Sequence, residues 1–177
     1  DGNRIINEND KTYLGSPIPR LTGGLDFGFA WKNLDFGLTL YWQLGNKILN
    51  AKRMNRDVFT DGNYDLDFYQ NSWRPDRQSN TYPSAAAYNS AFVQQANSFF
   101  VEDASYFRIQ NIQVGYTFRN LWKINMMRVY FSAQRPLTLF RYNGFTPEVG
   151  GSPIANGVDT STYPMQAICT LGLRMSF

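Results

Sequence analysis

The sequence has no histidine and one cysteine, Cys169, in 177 residues. That excludes a Cys/His zinc site, an intrachain disulfide, and any Cys–His or Ser–His nucleophile pair. The acids then have no histidine or second thiol beside them, and no catalytic constellation can be assembled. The chain reads as a non-enzyme without a cofactor. No apolar run approaches the ~18 residues of a membrane-spanning helix, so a helical span is excluded too. Charge is sparse: charged residues make up 18% of the chain, and the net charge is +3. Lys and Arg are scattered and form no basic stripe, which argues against nucleic acid as a partner. The start, Asp1-Gly2-Asn3, carries no methionine and no basic or apolar region of a signal peptide.

Against these absences stands a strict alternation of apolar and polar residues. In 167–177 the odd positions are Ala167, Cys169, Leu171, Leu173, Met175 and Phe177, while Thr170, Gly172, Arg174 and Ser176 fall between them. Alternation with period two over about ten residues marks a strand with two different solvents, one face apolar and one polar. Cys169 falls on the apolar face and reads as a small hydrophobe.

Four more stretches behave alike. Strand 22–31 puts Leu25, Phe27, Phe29 and Trp31 on one face and Gly24, Asp26, Gly28 and Ala30 on the other. Lys32-Asn33 makes a tight turn, with Asn33 suited to a left-handed backbone. Strand 34–44 follows, with Leu34, Phe36, Leu38, Leu40, Trp42 and Leu44 on one face. A two-residue turn sets Trp31 opposite Leu34 and Phe27 opposite Leu38, so all apolar pairs share a face. Strand 105–118 alternates through Ile112, Val114, Tyr116 and Phe118, but Phe107 and Ile109 fall in the other phase. The slip near Gln110-Asn111 predicts a β-bulge or a change of environment. Strand 126–134 carries Met127, Val129, Phe131 and Ala133, and Pro136 marks the end of pairing or a bulge.

The connections alternate short and long. Short links lie at 32–33 and 119–125; long ones run over 45–104, where Ala content suggests a helix at 85–97, and over 141–165. Outer-membrane barrels pair short periplasmic turns with long extracellular loops. That rhythm places both long loops outside, and the C-terminus in the periplasm. Trp31, Phe118 and Trp122 then map to one membrane interface and Trp42 and Tyr142 to the other. The apolar faces carry no charge; Arg or Lys there would cost roughly 2–4 kcal/mol at mid-membrane. Five strands cannot close a membrane barrel, for which about eight is the minimum. The expected fold class is therefore all-β: an antiparallel transmembrane β-barrel segment, five strands of a larger barrel. A secreted β-sandwich glycan-binding module would explain the alternation but not the loop rhythm. A passive porin or adhesin barrel is the other rival.

Several runs then resemble the SusC/RagA family of TonB-dependent outer-membrane transporters: LGSPIPRLTGGL at 14–25, WRPD at 73–76, SNTYP at 79–83, FVED at 100–103 and YFRIQN at 106–111. VGYTF at 114–118, VYFSAQ at 129–134, FTPE at 145–148 and YP at 163–164 continue the series, so the likeness runs in order over nearly the whole chain. The resemblance implies the C-terminal part of a barrel of roughly 22 strands with a plug, the plug and signal peptide being absent from this sequence. It implies that residue 1 is not the original N-terminus, and that the protein is a multi-pass protein of the cell outer membrane. It further implies a SusD-like surface lipoprotein as lid, energy from the TonB complex, and import of oligosaccharides or peptides in Bacteroidetes. The implied contacts are outer-membrane lipid, the rest of the barrel and its plug.

Candidate residues follow from these assignments. Tyr64, Phe68, Tyr69, Trp73, Arg74 and Tyr82 of the first long loop are candidates for substrate or lid contact; the plain alternative is packing within the loop. Arg74 and Asp76 are placed to pair with each other. Asp26, Asp35, Arg128 and Arg174 face the lumen and are candidate plug contacts. Phe177 ends the closing strand and is a candidate barrel-assembly signal. Residues 1–10 resemble the tail of a calcium-loop-like stretch, with Asn7 and Asp10 as candidate oxygen ligands. The upstream acids are missing there, an ordinary acidic turn is preferred, and no metal is assigned.

Overall fold

The computed structural model describes residues 8–56, 64–88, 95–121, 123–150 and 156–177. The architecture is all-β and antiparallel. Five long strands form one sheet: β1 (Leu21–Trp31), β2 (Leu34–Leu44), β5 (Tyr106–Leu121), β6 (Ile124–Phe140) and β7 (Ile168–Ser176), in that spatial order. A small second sheet pairs β3 (Lys47–Leu49) with β4 (Val101–Asp103). No helix among the described residues is long and apolar enough to cross a membrane, a fact that says nothing about strands.

Alternation dictates the register. Across the sheet, Phe27, Leu38, Ile112, Ala133 and Cys169 form one apolar row. The polar face has matching rows, such as Ala30, Asp35, Gly115, Tyr130 and Gly172. One slipped residue would move a whole strand's apolar set to the wrong face, so the register is strongly specified. In the β1–β2 turn the left-handed backbone falls on Lys32 (φ 54°), not on Asn33. Asn33 instead continues the ladder, its carbonyl accepting the Thr117 N–H at 2.8 Å.

The phase slip is a bulge. Thr39 pairs with Asn111 and Leu40 with Ile109, leaving Gln110 as the extra residue. Its effect is to invert the alternation of β5. Upstream of Gln110, Phe107 and Ile109 share the face of Trp42 and Leu40, while Tyr106 and Arg108 turn to the polar face with Gln43 and Tyr41. On the other side, Ile109 pairs with Leu137 and Asn111 with Gln134, so Arg135 and Pro136 stand against Gln110. Pro136 therefore does not end its strand. Its missing N–H falls where the ladder is already interrupted, Arg135 takes φ 51°, and pairing resumes through Leu139–Phe107. The expected end at residue 134 was short for that reason. Likewise the link at 119–125 is nearly consumed by pairing, which reaches Leu121–Ile124.

The apolar face has no protein beneath it. Leu25, Phe27, Phe29, Trp31, Leu171 and Leu173 are each at least half exposed. The buried clusters lie in the long loops instead. Phe68 and Phe100 form one, with Leu49, Met54, Tyr64, Tyr82 and Phe99 packed around it; Ile48, Ala104 and Tyr142 form the other. Tyr142 is thus a loop-core residue and not an interface ring. Its hydroxyl donates to buried Asp159 at 2.6 Å. Trp122 lies outside the described residues.

The loops are folded pieces. Helix α1 (Ala51–Arg56) starts at Asn50, whose side-chain oxygen accepts the Arg53 N–H at 2.9 Å, satisfying a donor that a helix start leaves open. Helix α2 (Leu66–Asn71) delivers Phe68 to the core. Helix α3 (Ala85–Tyr88) covers only the first residues of the expected 85–97 helix; 95–97 are not helical and 89–94 lie outside the described residues. The two long loops interlock. Leu49 N–H donates to the Gly157 carbonyl at 2.8 Å, and Asp159 N–H returns a bond to the Leu49 carbonyl at 2.9 Å.

The facing gives a direct prediction. Leu38→Arg and Leu171→Arg in a complete barrel will each lower assembly, by roughly 2–4 kcal/mol near mid-membrane. Gly28→Arg, on the polar face with open space around it, will assemble normally. Heat-modifiable mobility of membrane fractions reads this; equal assembly of all three would invert or abolish the facing. The loop core gives a second. Phe68→Ala removes a fully buried ring, a loss of about 3–5 kcal/mol, and will make the 45–104 loop protease-sensitive while the barrel persists. An unchanged cleavage pattern would mean that the ring carries no such packing.

Candidate functional site

The side chains that could meet a ligand or partner occur in two places, the loop unit and the polar face beside it. In the loop unit, a buried arginine organises the packing. Arg53 stacks on the Phe99 ring at 4.6 Å and forms ion pairs of 3.5 Å with both Asp67 and Glu102. A buried charge is tolerated only when paired and hydrogen-bonded; here the partners come from α2 and β4. Tyr82 joins the group. Its hydroxyl donates to Asp67 through a short hydrogen bond, and Arg53 donates to the hydroxyl oxygen at 3.3 Å. Burial, with the Asp67 bond, pushes the Tyr82 hydroxyl above its ordinary pKa.

The candidate loop residues therefore separate. Tyr64, 4.9 Å from Phe68, and Tyr82 are packing residues of the loop core. Tyr69 and Trp73 remain on the surface, 61% and 38% exposed. Arg74 does not pair with Asp76. It lies over the Tyr69 ring at 4.9 Å and donates to the Tyr69 carbonyl at 3.1 Å, and Arg77 donates to the same carbonyl at 3.2 Å. Tyr69, Arg74 and Arg77 thus form one aromatic and cationic patch, with the exposed Trp73 next to Arg74 in the chain.

On the polar face, Asp26 accepts a hydrogen bond from Thr39 at 2.7 Å. Asp35 and Arg128 engage each other, Nε to Oδ1 at 3.1 Å, across the intervening strand β5. Gly115 makes that crossing possible: a Cβ there would lie 2.6 Å from the guanidinium. Tyr130 lies over Gly172 in the same way. Arg174 stands opposite Arg128 in the register, exposed. Phe177 is 80% exposed at the end of the sheet. Asp10 is exposed, Asn7 lies outside the described residues, and no metal-type cluster occurs among the described residues.

Sequence reasoning missed the strongest polar contact in this region. Arg108, buried on the polar face of β5, holds Glu148 of the second long loop bidentately, at 2.6 and 2.9 Å, and the Tyr106 hydroxyl donates to the same carboxylate at 2.6 Å. Tyr41 and Tyr106 flank the guanidinium at 5.8 and 5.3 Å. Burial alone would raise the Glu148 pKa, but the bonds from Arg108 and Tyr106 outweigh it and hold the carboxyl below its usual range. A lowered carboxyl pKa stabilises above the ordinary glutamate range and is lost only as pH falls through the folded value. The contact is therefore complete at neutral pH. Only the bulge, read together with the inward turn of Arg108, could have signalled it. Beside the contact lies an open cavity of about 860 Å³ between Asp26, Tyr41 and Arg108 of the wall, Pro17 of the approach segment, and Pro147 and Glu148 of the loop.

Comparisons with known proteins agree with this geometry. No protein-family model matches the chain. The TonB-dependent receptor SusC of Bacteroides thetaiotaomicron is 31% identical over the whole chain, and the TonB-dependent receptor P3 of Formosa agariphila is 29% identical. Among solved structures, the RagAB peptide importer in its open-open state matches with a TM-score of 0.73 at 26% identity, over 92% of this chain. The chain spans 17% of the length of SusC and 18% of the matched importer chain. These relatives are named as receptors and an importer, not as enzymes. A two-faced antiparallel sheet, the sequence likeness along its whole length and the matching fold together show that the chain is similar to a barrel segment of SusC/RagA-like TonB-dependent receptors.

Proposed function

We propose that this chain forms part of the wall and outer loops of an active importer in the outer membrane, taking up oligosaccharides or peptides. The observation that carries the reading is the five-stranded sheet with its long apolar face uncovered. Water is a poor solvent for so large a patch, and lipid is a good one. The relatives support the rest: the SusC likeness and the RagAB importer fold point to a TonB-coupled barrel. In this reading the loops at 45–104 and 141–165 lie outside, the C-terminus lies in the periplasm, and the edges of β1 and β7 pair with further barrel strands. Asp26 and Arg174 face the plug, whereas Asp35 and Arg128 satisfy each other. A SusD-like lipoprotein covers the mouth, and the exposed patch of Tyr69, Trp73 and Arg74 meets it or the substrate.

The test uses the complete transporter. Tyr69→Ala and Trp73→Ala will each weaken lid or substrate binding by about 1–2 kcal/mol, in the manner of interface aromatics, with assembly intact. Tyr82→Ala will act differently, loosening the loop without a specific loss of binding per folded barrel. Uptake and lid affinity that stay at wild-type level in both surface mutants would remove the patch from the interface. Separately, deletion of Phe177 will lower the yield of folded barrel under limiting expression, read by heat-modifiable mobility. An unchanged yield would strip that residue of an assembly role.

A further inference from the structure

We infer that Glu148 is a positioning residue for the outer mouth: it clasps the 144–150 segment of the second long loop to the inner wall and so sets the size of the compartment beneath it. This rests on the importer reading for the direction of the mouth. Glu148 is the only charged residue in 144–150, and its carboxylate accepts three hydrogen bonds from the wall: from both terminal nitrogens of Arg108 and from the Tyr106 hydroxyl. The arrangement is built from both sides. Gln110 inverts the phase of β5, which is what turns Tyr106 and Arg108 inward. Without that extra residue Arg108 would face lipid and the loop would find no cation on the wall.

The segment has other anchors, at its ends and at buried Thr146 and Pro147. Asn143 N–H donates to Glu102 at 2.7 Å, and its carbonyl accepts from Asn50 at 2.9 Å. Val149 packs against the Ile48, Ala104 and Tyr142 cluster. Between these points Phe145 is exposed beside Lys52 while Thr146 and Pro147 are buried, and Glu148 adds the one charged contact that ties the segment to the wall. Arg108 is only 7% exposed, and its Nε lacks a hydrogen-bond partner. Losing Glu148 would leave the whole guanidinium unpaired in a buried place, which favours entry of water and departure of the loop from the wall. Pro147 and Glu148 are one wall of the cavity of about 860 Å³; their release would merge it with the lumen and widen the bore.

The experiment uses the complete transporter with Cys169→Ala as background and Gln43→Cys as reporter. Gln43 lines the same cavity on β2. Intact cells are treated with small and bulky membrane-impermeant maleimides. With Glu148→Gln, the bulky reagent is expected to label Gln43→Cys several-fold faster, while the small reagent changes little. Tyr106→Phe, which removes one donor of three, should give an intermediate rate, and Glu148→Asp should restore part of the protection. Unchanged labelling by the bulky reagent in Glu148→Gln, with normal heat-modifiable mobility, would overturn the inference. So would faster labelling in Val149→Ala alone, since packing would then hold the segment. If Glu148→Gln fails to assemble, the Tyr106→Phe and Glu148→Asp rates decide by the same rule. Labelling does not depend on transport, so a wild-type barrel that imports neither peptides nor oligosaccharides would refute the importer reading and leave the clasp standing.

Discussion

Everything in this chain follows from a sheet whose two faces require different solvents. Side chains alternate across a strand, so apolar and polar residues placed one by one give one apolar and one polar wall. In this sheet no second layer covers the apolar wall, and the polar wall is covered only where the loop of Glu148 folds over Tyr106 and Arg108. The apolar wall holds Leu, Phe, Trp and Met without a single charge, from β1 to β7. The polar wall holds carboxylates, guanidinium groups and amides that need water or partners. A chain of this kind is stable where hydrocarbon lies on one side and water on the other. Its open edge strands add a second demand, because backbone donors and acceptors in lipid must be paired.

That constraint explains the irregularities as well as the rule. A bulge usually weakens pairing locally; here it redirects side chains. Gln110 lets one strand serve two phases, so that Ile109 and Ile112 both face outward while Arg108 and Asn111 both face inward. The facing strand answers with Arg135 and Pro136, absorbing the mismatch at one level of the sheet. Glycines act in the same service. Gly115 leaves room for Asp35 and Arg128 to meet across a strand, and Gly172 lets the Tyr130 ring lie on the backbone. One opposite-charge pair of the inner wall, Asp35 and Arg128, is thereby matched within the wall.

The sheet was legible from the sequence because its information is local: alternation, turn spacing and the break at Gln110 can be read within a dozen residues. Of the two readings of Pro136, a strand end or a bulge, the bulge holds: the rule against proline applies to paired positions, and the residue sits at an unpaired one. The left-handed turn residue was assigned to Asn33 from its propensity, and Lys32 took it. The loops were not legible, since their order rests on contacts between distant segments. Arg53 with Glu102, Tyr142 with Asp159 and Arg108 with Glu148 leave no periodic trace. Tyr82 and Tyr69 look alike as sequence, and only packing separates the one inside the loop core from the one at its surface.

The most direct test of this account lies along β5. Single spin labels placed from Phe107 to Phe118 in the complete barrel, reconstituted in a bilayer, report access to oxygen from lipid and to a polar nickel reagent from water. The account predicts oxygen maxima at 107 and 109, then at 112, 114, 116 and 118, with the alternation inverted at Gln110. An unbroken period of two through Gln110, or no difference between the two reagents, would contradict it.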